Sequence, residues 1–126
     1  MPNDRGFTLI ELLMALGILT AVLMALGVAS GHFIREATLT ERRTAALELA
    51  DSRIDEIQMF PVYPALDTTF AGSETGFATL SGYIRTTAIT HIGGLGQKND
   101  YKRITVTVIG PGVNPPVSRT ITVAAP

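Results

Sequence analysis

Glu11 is a carboxylate at the mouth of an uncharged run. It follows Phe7-Thr8-Leu9-Ile10, and residues 12–33 carry no formal charge with His32 taken as neutral. A helix needs about 20 apolar residues to cross a bilayer, so this run is long enough. A charged side chain inside such a segment costs roughly 2.5–3.5 kcal/mol at the helix centre and marks function. A plain anchor has no reason to hold an acid there. The other groups that could do chemistry are dispersed. His32 sits at the end of the apolar run, where a polar-tipped ring suits an interface, and His91 ends a strand candidate before glycines. Neither has a partner at metal-ligand spacing, and no acidic loop has the oxygen density of a calcium site. Asp51, Asp55 and Glu56 read as the solvated face of a helix. Gly93-Gly94-Leu95-Gly96 lacks the lysine and the strand–helix setting of a phosphate loop and reads as a flexible turn. No catalytic constellation emerges, and neither a metal nor a cofactor is expected.

Composition narrows the classes further. The chain has 126 residues, a net charge of -1, no cysteine and no tryptophan. That length favours one folded domain at most, with a small core. Without cysteine there is no disulfide, no thiolate chemistry and no site for a lipoprotein anchor. No basic surplus points to nucleic acid.

The residues around Glu11 are those of a long helix. Leu, Met and Ala dominate the apolar run, and no proline occurs between Pro2 and Pro61. Ala15, Gly17, Ala21, Ala25 and Ala29 recur at or near four-residue spacing, either as ordinary anchor residues or as a close-packing stripe for other helices. Residues 34–59 stay free of Pro and Gly and are rich in helix formers. Leu39, Ala46, Ala50, Ile54 and Ile57 fall on one stripe with Leu47 beside them. Glu41, Arg42, Glu48, Asp51, Asp55 and Glu56 lie opposite. Their spacing offers no charge pairs, so packing is expected to hold this half. Pro61 and Pro64 end the helix near Met59 or Phe60. A helix over residues 8–59 would be roughly 75–80 Å long.

Beyond Pro64 the chain turns to Thr, Gly, Val and Ile. Ile104, Val106 and Val108 alternate with Arg103, Thr105 and Thr107, and residues 118–123 repeat the pattern with Ile121 and Val123 inward. Residues 110–116 read as the loop of an antiparallel hairpin. Residues 82–92 are a third strand candidate and residues 77–80 a weaker one. The expected fold class is α+β: a long N-terminal helix, membrane-crossing in its first half, packed against a small antiparallel sheet.

Gly6-Phe7-Thr8-Leu9-Ile10-Glu11-Leu12-Leu13 resembles the N-terminal signature of type IV pilins and the pseudopilins of type II secretion. The resemblance implies cleavage after Gly6 by a prepilin peptidase, N-methylation of Phe7, and a role for Glu11 in assembly. It divides the chain into a leader over residues 1–6, a transmembrane and polymerisation helix over 7–33, an amphipathic spine over 34–60 and a β domain over 61–126. It implies a single pass through the inner membrane, an extracytoplasmic C-terminal domain, and later a filament in the periplasm or at the cell surface. The implied partners are other pilin or pseudopilin subunits, the peptidase, an inner-membrane assembly platform and lipid. Nucleic acid is not an expected partner. Residues 45–57 and the strand at 103–109 resemble minor pilins of the V type and I-type pseudopilins. The absence of cysteine and of a proline in residues 21–29 departs from major pilins.

The physics suits Glu11. A new ammonium at Phe7 and the carboxylate of Glu11 are each costly in lipid and offset one another if they meet. They can do so between staggered helices, which makes Glu11 an assembly device. Three alternatives stay open. One is a conventional cleaved signal, cut near Ala25, Gly27 or Ala29. Another is a single-pass anchored binding module. A third is a DNA-uptake subunit that contacts phosphate through Arg42, Arg43, Arg85, Lys98, Lys102, Arg103 and Arg119.

Overall fold

A computed structural model of the chain describes residues 6–94 and 97–126. The chain divides into two compact units, Met1–Thr38 and Leu39–Pro126. Helix α1, Leu9–Met59, runs through both. It is followed by a 3₁₀ turn at Tyr63–Ala65, a short helix α2 at Leu66–Phe70, and strands β1 Gly72–Glu74, β2 Ile84–Ile92, β3 Tyr101–Gly110 and β4 Val113–Ala124. The four strands form one antiparallel meander in the order β1-β2-β3-β4. This is the α+β arrangement expected, and α1 ends at Met59 as the prolines require.

In the first unit α1 buries nothing. Its most apolar 18-residue window has a mean hydropathy of 2.5 and lies wholly exposed within the chain. Its hydroxyls hide themselves. Thr20 donates to the Leu16 carbonyl at 2.8 Å, Ser30 to Leu26 at 2.9 Å and Thr38 to Ile34 at 3.0 Å. Each hydroxyl hydrogen is thereby satisfied four residues back along the same helix, which an apolar solvent demands.

In the second unit the stripe of α1 lies on the sheet. Ala46 and Ala50 are completely buried, with Ile54 and Ile57 beside them. They share one core with Ile104, Val106, Val108, Val113 and Val117, and with Tyr63, Leu66 and Phe70 from the connection. Leu47 packs at the margin, as do Ile121 and Val123. Small alanines at the centre of the stripe let the helix settle close above the β-branched residues of β3, as native packing density requires.

The expectation that packing alone would hold this half is corrected. Arg53, on the helix stripe, pairs with Glu56 at 2.8 Å and with Glu74 at 2.7 Å. Arg85, on the inner face of β2, pairs with Glu74 at 2.8 Å and donates to the Leu49 carbonyl at 3.1 Å and to Ser52 Oγ at 3.2 Å. Both arginines are buried. Their guanidinium groups also lie over rings, Arg53 over Phe70 at 5.0 Å and Arg85 over Phe77 at 5.2 Å. One carboxylate on the edge strand β1 thus ties that strand to both helix and sheet.

Two local expectations are also revised. The weak strand candidate at 77–80 is a turn, and the first strand is Gly72–Glu74. The hairpin loop shrinks from residues 110–116 to Pro111 and Gly112, because Gly110 already faces Val113. Gly112 has a φ of 74°, the left-handed value that a Pro-Gly turn places on its glycine. Asn114, Pro115 and Pro116 belong to β4. That strand is an edge, where a missing N–H is tolerated, and the register slips between Val108 and Gly110 to admit them. Gly110 is needed for space: a Cβ there would meet Cδ1 of Tyr83 at 2.6 Å.

Glu74→Ala should destabilise the β domain by about 1–3 kcal/mol, because it leaves two buried guanidiniums short of their shared acceptor. Ile104→Ala should cost about 2–5 kcal/mol through a cavity. Urea unfolding followed by circular dichroism checks both.

Candidate functional site at the N-terminal helix

The site is built at the start of α1. Gly6, Phe7 and Thr8 precede the helix, and the Thr8 carbonyl accepts its first bond, from Leu12 N at 3.2 Å. Thr8 is therefore the N-cap. Its Oγ1 accepts the backbone N–H of Glu11 at 3.3 Å, supplying one of the donors that a helix start leaves unpaired. Thr8-Leu9-Ile10-Glu11 is a T-x-x-E sequence, the pattern of a capping box, with Phe7 just before it and Leu12 at the fourth helical position. This signal was legible in the sequence, and the bond it forms here uses the backbone N–H of Glu11, not its carboxylate. A carboxylate in the first turn also faces the positive end of the helix dipole.

The residues singled out in the sequence lie together here. Phe7 is 86% exposed, Glu11 is exposed, and among the described residues Glu11 makes no ion pair. From Leu9 to Ile34 every large apolar side chain is at least half exposed. The arrangement offers a carboxylate at the head of an uncovered apolar column.

A second polar cluster joins the connection after α1 to the sheet. Lys102 is buried on the inner face of β3, in step with Ile104. Its Nζ donates to the carbonyls of Tyr63 at 3.0 Å and Pro64 at 3.3 Å and pairs with Asp67 at 2.6 Å. Tyr63 donates its hydroxyl to Asp100 Oδ1 at 3.0 Å, and His91 Nε2 bonds to the same oxygen. Tyr63, Pro64, Asp67, His91 and Lys102 line a cavity of about 180 Å³. The ammonium has three donors and three acceptors, so it is spent on structure. No group of three metal-ligating side chains occurs among the described residues. Burial, followed by the hydrogen bond to Asp100 and the charges of Asp100 and Asp67, pushes the Tyr63 hydroxyl up to about 12.

The basic residues considered for phosphate contact are largely committed elsewhere. Arg85 and Lys102 are buried. Arg119 pairs with Asp51 at 3.0 Å, and Arg43 donates to the Pro115 carbonyl at 3.3 Å. The parity of β3 could have revealed Lys102: it is two residues before Ile104, and alternate residues share a face. Arg85 had no such signal, because its neighbours on the inner face of β2 include the polar Thr87.

The model of the family "prokaryotic N-terminal methylation motif" matches residues 1–27. The type II secretion system protein I of Pseudomonas aeruginosa is 37% identical over 65 residues, which are 52% of this chain and 50% of that protein. The chain thus spans about half the length of the curated relative it matches. No solved structure matches it. The motif and the relative together support the type IV pilin-like family. The name of that relative agrees with the resemblance to I-type pseudopilins.

Tyr63 yields a test of the second cluster. Its hydroxyl pKa is higher folded than the ordinary value near 10. The neutral phenol therefore stabilises the fold fully below pH 10, and that contribution is lost as pH rises through about 12. Phenolate absorbance of the intact chain should show an ionisation near pH 12, and Tyr63→Phe should remove it.

Proposed function

We propose that the chain is a minor pilin or pseudopilin, a structural subunit of a type IV pilus-like or type II secretion filament, and not an enzyme. In this reading a prepilin peptidase cuts after Gly6 and Phe7 becomes the N-methylated first residue. Residues 1–6 are the removed leader, residues 7–33 the membrane and polymerisation helix, residues 34–60 the spine and residues 61–126 the outer β domain. The precursor lies in the inner membrane with its C-terminal domain outside the cytoplasm, and the assembly platform draws it into the filament. The observation that carries the reading is the methylation motif at the head of a helix whose apolar side chains are uncovered. Other subunits, or lipid beforehand, are the partners that such a surface takes.

Glu11 serves twice. In the single chain it belongs to the helix cap, where the Thr8 hydroxyl bonds its N–H. In the filament its carboxylate meets the ammonium of Phe7 on a neighbouring subunit. Removing the side chain leaves that backbone N–H in place, so the cap survives while the intersubunit pair is lost.

Mass spectrometry of the chain expressed with its native machinery should find a mature N-terminus at Phe7 carrying one methyl group. An intact Met1 start, or a cut near Ala29, sinks the proposal. Glu11→Ala should leave cleavage nearly unchanged and reduce the chain recovered in sheared filaments at least tenfold. Recovery at the wild-type level would remove the assembly role.

A further inference from the structure

The far end of the apolar run carries a feature that assembly through Glu11 does not use. Val28, Gly31, His32 and Arg35 stand at helical positions i, i+3, i+4 and i+7 and so share one face. Gly31 has no side chain, and nothing lies within 4 Å of where its Cβ would be. The four residues line a hollow of about 260 Å³ on the helix surface. One wall is the apolar Val28. The other holds an imidazole and a guanidinium, and Arg35 is the first formal charge after Glu11. Glu36 follows Arg35 about 100° further round the helix and does not line the hollow.

Depth decides what such a hollow can hold. From Leu9 to Gly31 the helix rises about 33 Å, against a hydrocarbon core about 30 Å thick. The level of His32 and Arg35 is then that of the headgroups on the side where the chain leaves the membrane, while Val28 stays among the acyl chains. A guanidinium fork matches two phosphate oxygens, an imidazole N–H adds a donor, and the missing side chain at Gly31 lets the phosphate approach the helix. Charge, apolar wall and depth together fit a lipid and not a free ion.

We propose that the hollow formed by Val28, Gly31, His32 and Arg35 binds the phosphate-bearing headgroup of a membrane phospholipid, with anionic headgroups preferred. This rests on the reading that residues 7–33 lie in a bilayer. The contact fixes the depth of the helix at its exit side, and transfer of the subunit from lipid to filament has to break it.

Native mass spectrometry of the full chain in detergent micelles tests this, with dioleoylphosphatidylglycerol, dioleoylphosphatidylcholine, dioleoylglycerol and inorganic phosphate as probes. One phosphatidylglycerol should be retained most strongly, phosphatidylcholine less and dioleoylglycerol least. Arg35→Gln should weaken retention about tenfold. Gly31→Leu should do the same with both polar groups in place, since leucine fills the hollow and favours the helix more than glycine does. Arg103→Gln should change nothing. Retention by Arg35→Gln and Gly31→Leu at the wild-type level overturns the proposal. So does equal retention of dioleoylglycerol, or complete displacement of the lipid by inorganic phosphate. Carbonate extraction of cell membranes separates the two failures. A chain released into the soluble fraction refutes the membrane reading itself, whereas a chain kept in the membrane with unaltered lipid retention refutes the headgroup site alone.

Discussion

The backbone hydrogen bonds of one unbroken helix, Leu9–Met59, are the constraint on which the remainder depends. Such a helix satisfies its own N–H and C=O groups, so what surrounds each stretch is decided by side chains alone. Over residues 12–31 these are uncharged and mostly apolar on all sides, and the hydroxyls of Thr20 and Ser30 fold back onto carbonyls of the preceding turn. In the second unit they form one stripe, centred on two alanines small enough to bring a sheet close. The same backbone thus supports a surface fit for lipid or other helices and a surface fit for a domain core.

The β domain is small and has no disulfide to hold it. Its apolar core is supplemented by three buried cations, Arg53, Arg85 and Lys102, each with carboxylate and carbonyl or ring partners. Burying charge is expensive, and truncating one partner of such a pair leaves the other stranded. These contacts lie where short elements meet: β1 against the helix through Glu74, and the connection of Tyr63–Ala65 and α2 against β3 through Lys102 and Asp67. A three-residue edge strand and a five-residue helix have little area to bury, so directional bonds supply what packing cannot.

Glu11 shows how one residue meets two demands. Local structure asks for a helix start, which Thr8 provides by accepting the Glu11 N–H. An apolar surrounding would ask for a countercharge, and among the described residues Glu11 makes no ion pair. The first demand involves the backbone and the second the carboxylate, so they do not compete.

The division between sequence and tertiary structure follows from the range of the forces involved. Periodicity determined the long helix, its stop before Pro61, the stripe through Ala46 and Ala50 and the alternation of β3, because these patterns are local and repeat. Composition determined the absence of disulfides, and the residues from Gly6 to Leu13 pointed to the pilin-like family. Only the tertiary structure decided the partners of Arg53, Arg85 and Lys102, which are paired with residues 21, 11 and 35 positions away through Glu74 and Asp67. It also decided that Gly72–Glu74, and not residues 77–80, forms the first strand, since three residues carry no readable period. Pro115 and Pro116 read as loop in the sequence but lie in a strand, because a proline's missing N–H matters only where a neighbouring strand would have used it.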